Sequence, residues 1–541
     1  GRVSNKGAVG AKVALRAGSL KQKIETSAAV PMAGPADVVF GLGQRPAPDT
    51  VRVIWVSGIV QTETEFPEAT QDGNLWATGL LELDRKPSSC PYLYAWDGER
   101  FAFVTDFLGA GEMGYWVAPG VRSHPDPVEY VRMAPDQLQA RDGRYELRVT
   151  NELEEVLYLD EARLLAVDHP SDVAVYPDEG MTGSPKPFRL FGVRDPRVPG
   201  VVDAAGADAT EPARTVDQRF VEGFPLRRIR GYAAEHALTL DLSEVPPTHR
   251  LLLLTGWTDY AFSSDNVAAS QMGLGLKPPR LEVETAPGRW DLAVADVGIP
   301  VGRPQTVVVD LAPLALGPTA RVRLVTNMRI YWDRIAVGEA VPDLVGEPVT
   351  LDPVVARLSE RGFSAESFVD GKGPLSFDYA RVGWASPWKV MPGRYTREGD
   401  VIELLGETDD LFVVSKPGDE IALSFEALPP AGPGRERTFL LLGDGFSKEM
   451  DINSASPDVV LPLPYHGMAS YPYPESERPR RLGRQEALQA RYNTRVVARP
   501  LVPLELAAVH AARDTVADTG SRPWPGPPAA GRFGPREAPR E

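Results

Sequence analysis

The sequence predicts an all-β protein, with several β-sandwich or jelly-roll-like modules in tandem, few short helices and a disordered C-terminal tail. Three observations carry this. Proline (52) and glycine (50) together supply 102 of 541 residues, and both residue types interrupt helices. Apolar runs are short, and several alternate with a period of two, as half-buried strands do. Pro/Gly turn clusters separate those runs. The clearest example runs from Arg250 to Gly338. There RLLLLTGWTDYAFSSDN (Arg250–Asn266), LEVET (Leu281–Thr285), TVVVDL (Thr306–Leu311) and ARVRLVTNMRIYWDRIAVG (Ala320–Gly338) are divided by PPR, APGR and VGRP turns. Such a layout reads as a sandwich rather than a parallel sheet.

Composition narrows the function. The length suggests three to four domains of ~150 residues each. A formal charge of −16 argues against binding to phosphate backbones or anionic membranes, which needs a basic face, so neither nucleic acid nor membrane insertion is expected. The single cysteine, Cys90, permits no intrachain disulfide, leaving stability to core burial. No apolar run reaches the ~18 residues of a membrane span. The chain opens at Gly1 in what reads as the middle of a module, so the expectation is that upstream sequence is missing and its leader with it.

Taken in order, residues 1–82 form the first β module. AKVALRAG (Ala11–Gly18) sets Val13 and Leu15 against Lys12 and Arg16, and TVRVIWVSG (Thr50–Gly58) places Val51, Val53 and Trp55 on one face. Residues 83–193 form an aromatic-rich module, whose PYLYAWDGERFAFVTDFLG (Pro91–Gly109) is a hairpin turning at Asp97-Gly98. In its second half Tyr145, Leu147 and Val149 point in. Residues 194–231, rich in Asp, Ala, Pro and Gly, read as a loop or linker. Residues 232–342 are the sandwich. Residues 343–474 are β-rich again, with Ile421, Leu423 and Phe425 inward and one short helix expected at Pro353–Gly362. Residues 475–541 hold a helix (Arg484–Arg495) and a disordered tail from about Gly520.

Asn5-Lys-Gly-Ala-Val-Gly-Ala-Lys-Val13, Phe-Gly-Leu-Gly (Phe40–Gly43) and Val-Arg-Val-Ile-Trp-Val-Ser-Gly (Val51–Gly58) followed by Gln61 stand in one order. Together they resemble the ASPIC/UnbV module, which follows FG-GAP-type propeller repeats in bacterial extracytoplasmic proteins and in the cartilage acidic protein family. Two departures stand out: TSAAVPMAGPAD (Thr26–Asp37) replaces the usual Gly-Ser-Gly-Tyr-Leu segment, and Val56 replaces the proline before Ser-Gly. The stretches Pro91–Pro170 and Ser447–Pro474 resemble regions that follow this module in the same bacterial proteins. The closing Tyr-Trp-Asp-Arg-Ile of the sandwich suggests a galactose-binding-type jelly roll, an analogy of fold alone. Gly7, Gly10, Gly41 and Gly43 fit strand ends better than a phosphate cradle, because no helix pattern follows them.

The sharpest polar–aromatic cluster is Trp257, Asp259, Tyr260, Asp265 and Asn266. An aromatic face beside carboxylate and amide groups is what a sugar site needs. The competing explanation is that the rings are core and the polar groups cap turns. Asp451, Asn453 and Asp458 offer three oxygen side chains for a metal but lack the glycine and distal glutamate of a calcium loop. An Asx turn explains them as well. No cofactor is expected beyond this candidate calcium. For catalysis, Asp97, Asp106 and Glu112 are the best local carboxylates. His124, His169, His236, His249, His466 and His510 show no zinc-helix spacing, Cys90 lacks nucleophile features, and Gly-x-Ser-x-Gly is absent. No catalytic residue is therefore assigned. The expectation is a non-catalytic extracytoplasmic (secreted, periplasmic or cell-surface) binding or adhesion protein with a glycan or protein partner. The alternatives are a carbohydrate-active enzyme with paired carboxylates and a scaffold for an upstream propeller.

Overall fold

The computed structural model describes residues 7–26, 37–56, 60–63, 70–72, 75–80, 82, 91–314, 316–317, 320–367, 376–384, 390–479 and 483–498. Its spine is an antiparallel pair of long strands, Glu155–Pro170 and Arg435–Glu449. Glu155–Pro170 is buried almost throughout because both of its faces are covered. Leu157, Leu159, Leu164 and Ala166 enter the main core, whereas Val156 and Tyr158 enter a second one with Phe412, Phe446, Met450 and Tyr471.

Around this spine lies a first sandwich. One sheet runs Val128–Met133, Arg435–Glu449, Glu155–Pro170 and Val349–Leu351, with Val413–Ser415 also pairing to Glu155–Pro170. The facing sheet runs Gly399–Asp400, Val355–Glu360, Asp419–Glu426, Arg144–Thr150, Tyr92–Trp96 and Phe101–Asp106. The alternations seen in the sequence hold: Tyr145, Leu147 and Val149 pair across the sheet with Phe425, Leu423 and Ile421, all buried. The hairpin at Asp97-Gly98 also forms, with Asp97 Oδ1 accepting the N–H groups of Glu99 and Arg100, both at 2.8 Å.

A second sandwich is inserted between Pro170 and Val349. Its sheets are Val173–Pro177, Leu190–Arg197, Ile330–Ala340, His249–Thr258, Gln305–Asp310, and Gly200–Val202, Tyr232–Asp241, Arg321–Met328, Arg280–Ala286, Arg289–Val294. Leu252, Leu254, Leu281, Val307, Val309, Leu324, Trp332 and Ile335 fill the space between them.

Several expected boundaries move. Residues 83–193 and 343–474, expected as consecutive modules, contribute interleaved strands to the same two sheets. The sandwich expected at 232–342 begins at Val173. The 194–231 segment is not a free linker, since Val201, Ala209, Ala213 and Val221 lie in the second core. The helix expected at Pro353–Gly362 is the strand Val355–Glu360, because Ala356 and Leu358 pair beside Leu423 and Ile421, and burial in a sheet overrides helix propensity. The later helix forms at Gly483–Tyr492. A helix at Ser263–Gln271 was not expected.

The N-terminal sheet runs Leu20–Glu25, Lys12–Ala17, Thr50–Ile54 and Val60–Glu63. Leu15, Val51, Val53 and Trp55 form its core together with Phe363 of the following region. Gly10 and Gly43 take φ of 95° and 65°, conformations that favour glycine. The expected tail from Gly520, and Cys90, lie outside the described residues.

Candidate functional site at the junction of the sandwiches

Strand His249–Thr258 leads into helix Ser263–Gln271, and this connection carries the sugar-site candidates. Asp265 Oδ2 accepts the Phe262 N–H at 3.0 Å, so this carboxylate caps the helix start. Ser263, Asn266 and Ala269 are buried at spacings of three, which turns one helix face toward the first sandwich. Asn266 Nδ2 donates to Tyr115 OH (2.8 Å) and to the Trp116 carbonyl (3.0 Å), and its Oδ1 accepts from Tyr232 OH at 2.7 Å. Ser263 Oγ donates to Glu449 Oε1 at 2.6 Å and accepts the Trp116 N–H at 2.9 Å. Ser264 Oγ donates to Asp451 Oδ1 at 2.5 Å and accepts from Asn453 Nδ2 at 2.9 Å.

Stretches that look unrelated in the sequence therefore meet here: the Trp257–Asn266 loop, the Asp451–Asn453 turn and Glu112. Glu112 hydrogen-bonds Glu449, with Glu155 and Asp451 close enough to act on it. Burial first, then the charges of Glu449 and Glu155, push the Glu112 carboxyl well above the ordinary range. Its Oε1 is buried with no hydrogen-bond partner. Tyr260 lies within reach of the same charges: burial, followed by Glu155 and Glu112, raises its phenol well above 10.0.

On the sandwich side of the junction, partly exposed rings form an array. Trp257 stacks on Tyr331 with centroids 4.8 Å apart and planes at 15°. Phe220 meets both edge-on, at 6.0 and 6.1 Å. Phe224 packs on Tyr331 at 5.2 Å and stacks on His236 at 4.7 Å. The Arg303 guanidinium sits 4.0 Å from the Trp257 ring centroid, a cation–π contact. Trp257 Nε1 is buried without a hydrogen-bond partner.

Of the candidates, Trp257 belongs to this array, and Tyr260 is packed into the junction. Asp259 forms ion pairs with Arg230 and Arg329, both at 3.0 Å, while Asp265 and Asn266 serve the helix and the junction. Asp451 Oδ1 accepts the Asn453 N–H at 2.9 Å, the expected Asx turn, and Asp458 is exposed. Among the enzyme candidates, Asp97 is held in its turn, whereas Asp106 is buried and acts electrostatically on Arg303. Glu449, Tyr331, Phe220, Phe224 and Arg303 were missed, because they stand far from the loop in sequence and no local pattern marks them.

Residues 1–72 match the family model described as ASPIC and UnbV. The chain carries an ASPIC/UnbV domain. The match contains the N-terminal sheet and ends before the first sandwich strand at Tyr92, so the candidate site lies outside the ASPIC/UnbV domain. No curated protein and no solved structure matches this chain. Among the described residues, no helix is long and apolar enough to cross a membrane.

Proposed function

We propose that this ASPIC/UnbV protein is a non-catalytic binding protein, acting outside the cytoplasm, that recognises a glycan on the aromatic array of the second sandwich. The array carries this reading. Sugars offer C–H faces to aromatic rings and hydroxyls to charged or amide groups. Trp257, Tyr331, Phe220 and Phe224 supply the rings, and the partly exposed Arg230–Asp259–Arg329 cluster supplies the charge. The extracytoplasmic setting is supported by the ASPIC/UnbV resemblance.

A glycan-array screen of the chain, followed by calorimetry on any hit, tests this. Trp257→Ala and Tyr331→Ala are expected to weaken binding by ~1–3 kcal/mol each while far-UV circular dichroism stays native. A folded wild type that binds no glycan, or folded variants that bind as the wild type does, would sink the reading.

A further inference from the structure

Away from the junction, three side chains from distant parts of the sequence converge on the spine of the first sandwich. Asp160 sits at a bulge in strand Glu155–Pro170: Leu159 pairs with Gly445 and Glu161 with Asp444, leaving Asp160 as the extra residue. A bulge re-aims one side chain out of a regular ladder, and such irregularities recur beside functional sites. The bulge depends on the residue opposite, since a Cβ on Gly445 would lie 2.5 Å from the Tyr158 carbonyl oxygen. The re-aimed carboxylate is held by three backbone N–H groups. Oδ2 accepts from Asp409 (3.1 Å) and Asp410 (2.9 Å), and Oδ1 from Leu411 (3.0 Å).

His466 faces this carboxylate. Its Nδ1 lies 2.8 Å from Asp410 Oδ1 and 3.6 Å from Asp160 Oδ2. The three donor atoms lie within 4.8 Å of one another, the closest such grouping of histidine and carboxylate donors among the described residues. Ligands bound at about 2.0–2.2 Å from one ion stand roughly 3–3.6 Å apart in tetrahedral or octahedral geometry, so both separations approach what a shared ion requires. The other ring nitrogen is fixed as a metal-bound histidine's usually is, by a carboxylate: Nε2 lies 2.7 Å from Asp444 Oδ1. Asp444 is steadied in turn by Thr408 Oγ1, 2.7 Å from its Oδ2 and 2.9 Å from Glu161 Oε2. Asp410 and His466 keep 31% and 25% of their side-chain surface exposed, which leaves an entry route and room for water ligands.

We propose that Asp160, Asp410 and His466 form a binding site for a divalent first-row transition-metal ion, with Asp444 orienting the histidine. The imidazole donor favours Zn²⁺ over Ca²⁺ or Mg²⁺, which take oxygen ligands, and the two carboxylates with water also suit Mn²⁺. An ion here ties the loops holding Asp410 and His466 to the bulged strand.

The test uses the full, untagged chain stripped with a chelator and titrated by calorimetry with Zn²⁺, Mn²⁺ and Mg²⁺. One-to-one binding of Zn²⁺ or Mn²⁺, weakened at least ~10–100-fold in Asp410→Asn and His466→Gln, is expected. The exposed Glu475→Gln serves as the unaffected control. No one-to-one binding of either ion by the folded wild type, or unchanged binding in Asp410→Asn, overturns the proposal. Should both variants misfold, Mn²⁺ bound to the wild type decides: electron spin-echo coupling to one imidazole nitrogen supports the site, and its absence rejects it.

Discussion

Two residues at the junction, the buried Asn266 and the half-buried Glu112, make opposite use of the same surroundings. Asn266 presents two donors and an acceptor to Tyr115, Trp116 and Tyr232, so each of its polar atoms is matched. Asn266→Ala leaves those partners buried without it. We expect a loss of about 2–4 kcal/mol in urea unfolding, several times the effect of a surface Asn→Ala. Glu112 is the reverse case, a carboxyl held among other carboxyls. Its pKa is raised in the folded state, so its contribution is complete below the unfolded glutamate value of about 4.5 and declines as pH rises. Glu112→Gln keeps a hydrogen-bond donor for Glu449 and removes the titration. The variant is therefore expected to match the wild type in stability at pH 4 and exceed it at pH 8, and an equal difference at both pH values would refute this. The sequence names both residues without revealing these roles, because their partners are set by packing.

At the scale of elements, the aromatic array depends on how strand His249–Thr258 is built. The pairing with Ile330–Ala340 slips between Thr255 and Gly256, and the slip brings Trp257 opposite Tyr331. A Cβ on Gly256 would come within 2.3 Å of the Tyr331 carbonyl oxygen and 3.0 Å of Trp332 Cα. Gly256→Ala is expected to destabilise the protein by about 1–3 kcal/mol and to change the near-ultraviolet circular dichroism of the Trp257–Tyr331 stack. An unaltered aromatic spectrum would mean that the stack does not depend on this close approach. Period-two alternation found most strands because one face of each was apolar. It failed at Val355–Glu360, where Val354, Val355, Ala356 and Leu358 satisfy either period and sheet pairing decides. It also passed over Ser263–Gln271, a helix whose inward face is Ser263, Asn266 and Ala269 rather than a stripe of large apolar residues.

Across the whole molecule, the sandwiches are joined by half-buried carboxylates that grip backbone N–H groups. Glu129 accepts from the Leu108 N–H at 2.5 Å and from Gln305 Nε2, and Glu179 accepts from the N–H groups of Arg132 (3.0 Å) and Thr306 (2.7 Å). Burial outweighs those hydrogen bonds and lifts Glu129 to about 8 and Glu179 to about 7. Both folded values exceed the unfolded value of about 4.5, so the stability they confer is complete below that pH and is lost as pH rises through 7 and 8. The melting temperature is therefore expected to fall between pH 5 and pH 9. A Glu129→Gln/Glu179→Gln double variant should show a flatter profile, and identical profiles would show that neither carboxylate governs the junction.

The sequence by itself determined the all-β class, the ASPIC/UnbV character of the N-terminal residues, most strands and the prominence of Trp257. Each rests on local information: turn residues, alternation with period two, or a short ordered motif. Only the tertiary structure decided that one sandwich is inserted into another and that Glu112 meets Glu449. It also decided that Trp257 joins Tyr331, Phe220 and Phe224, and that Asp160, Asp410 and His466 share one place. Antiparallel sheets pair strands hundreds of residues apart, as Glu155–Pro170 does with Arg435–Glu449, so the neighbours of a side chain are fixed by register between distant strands and leave no trace in local spacing.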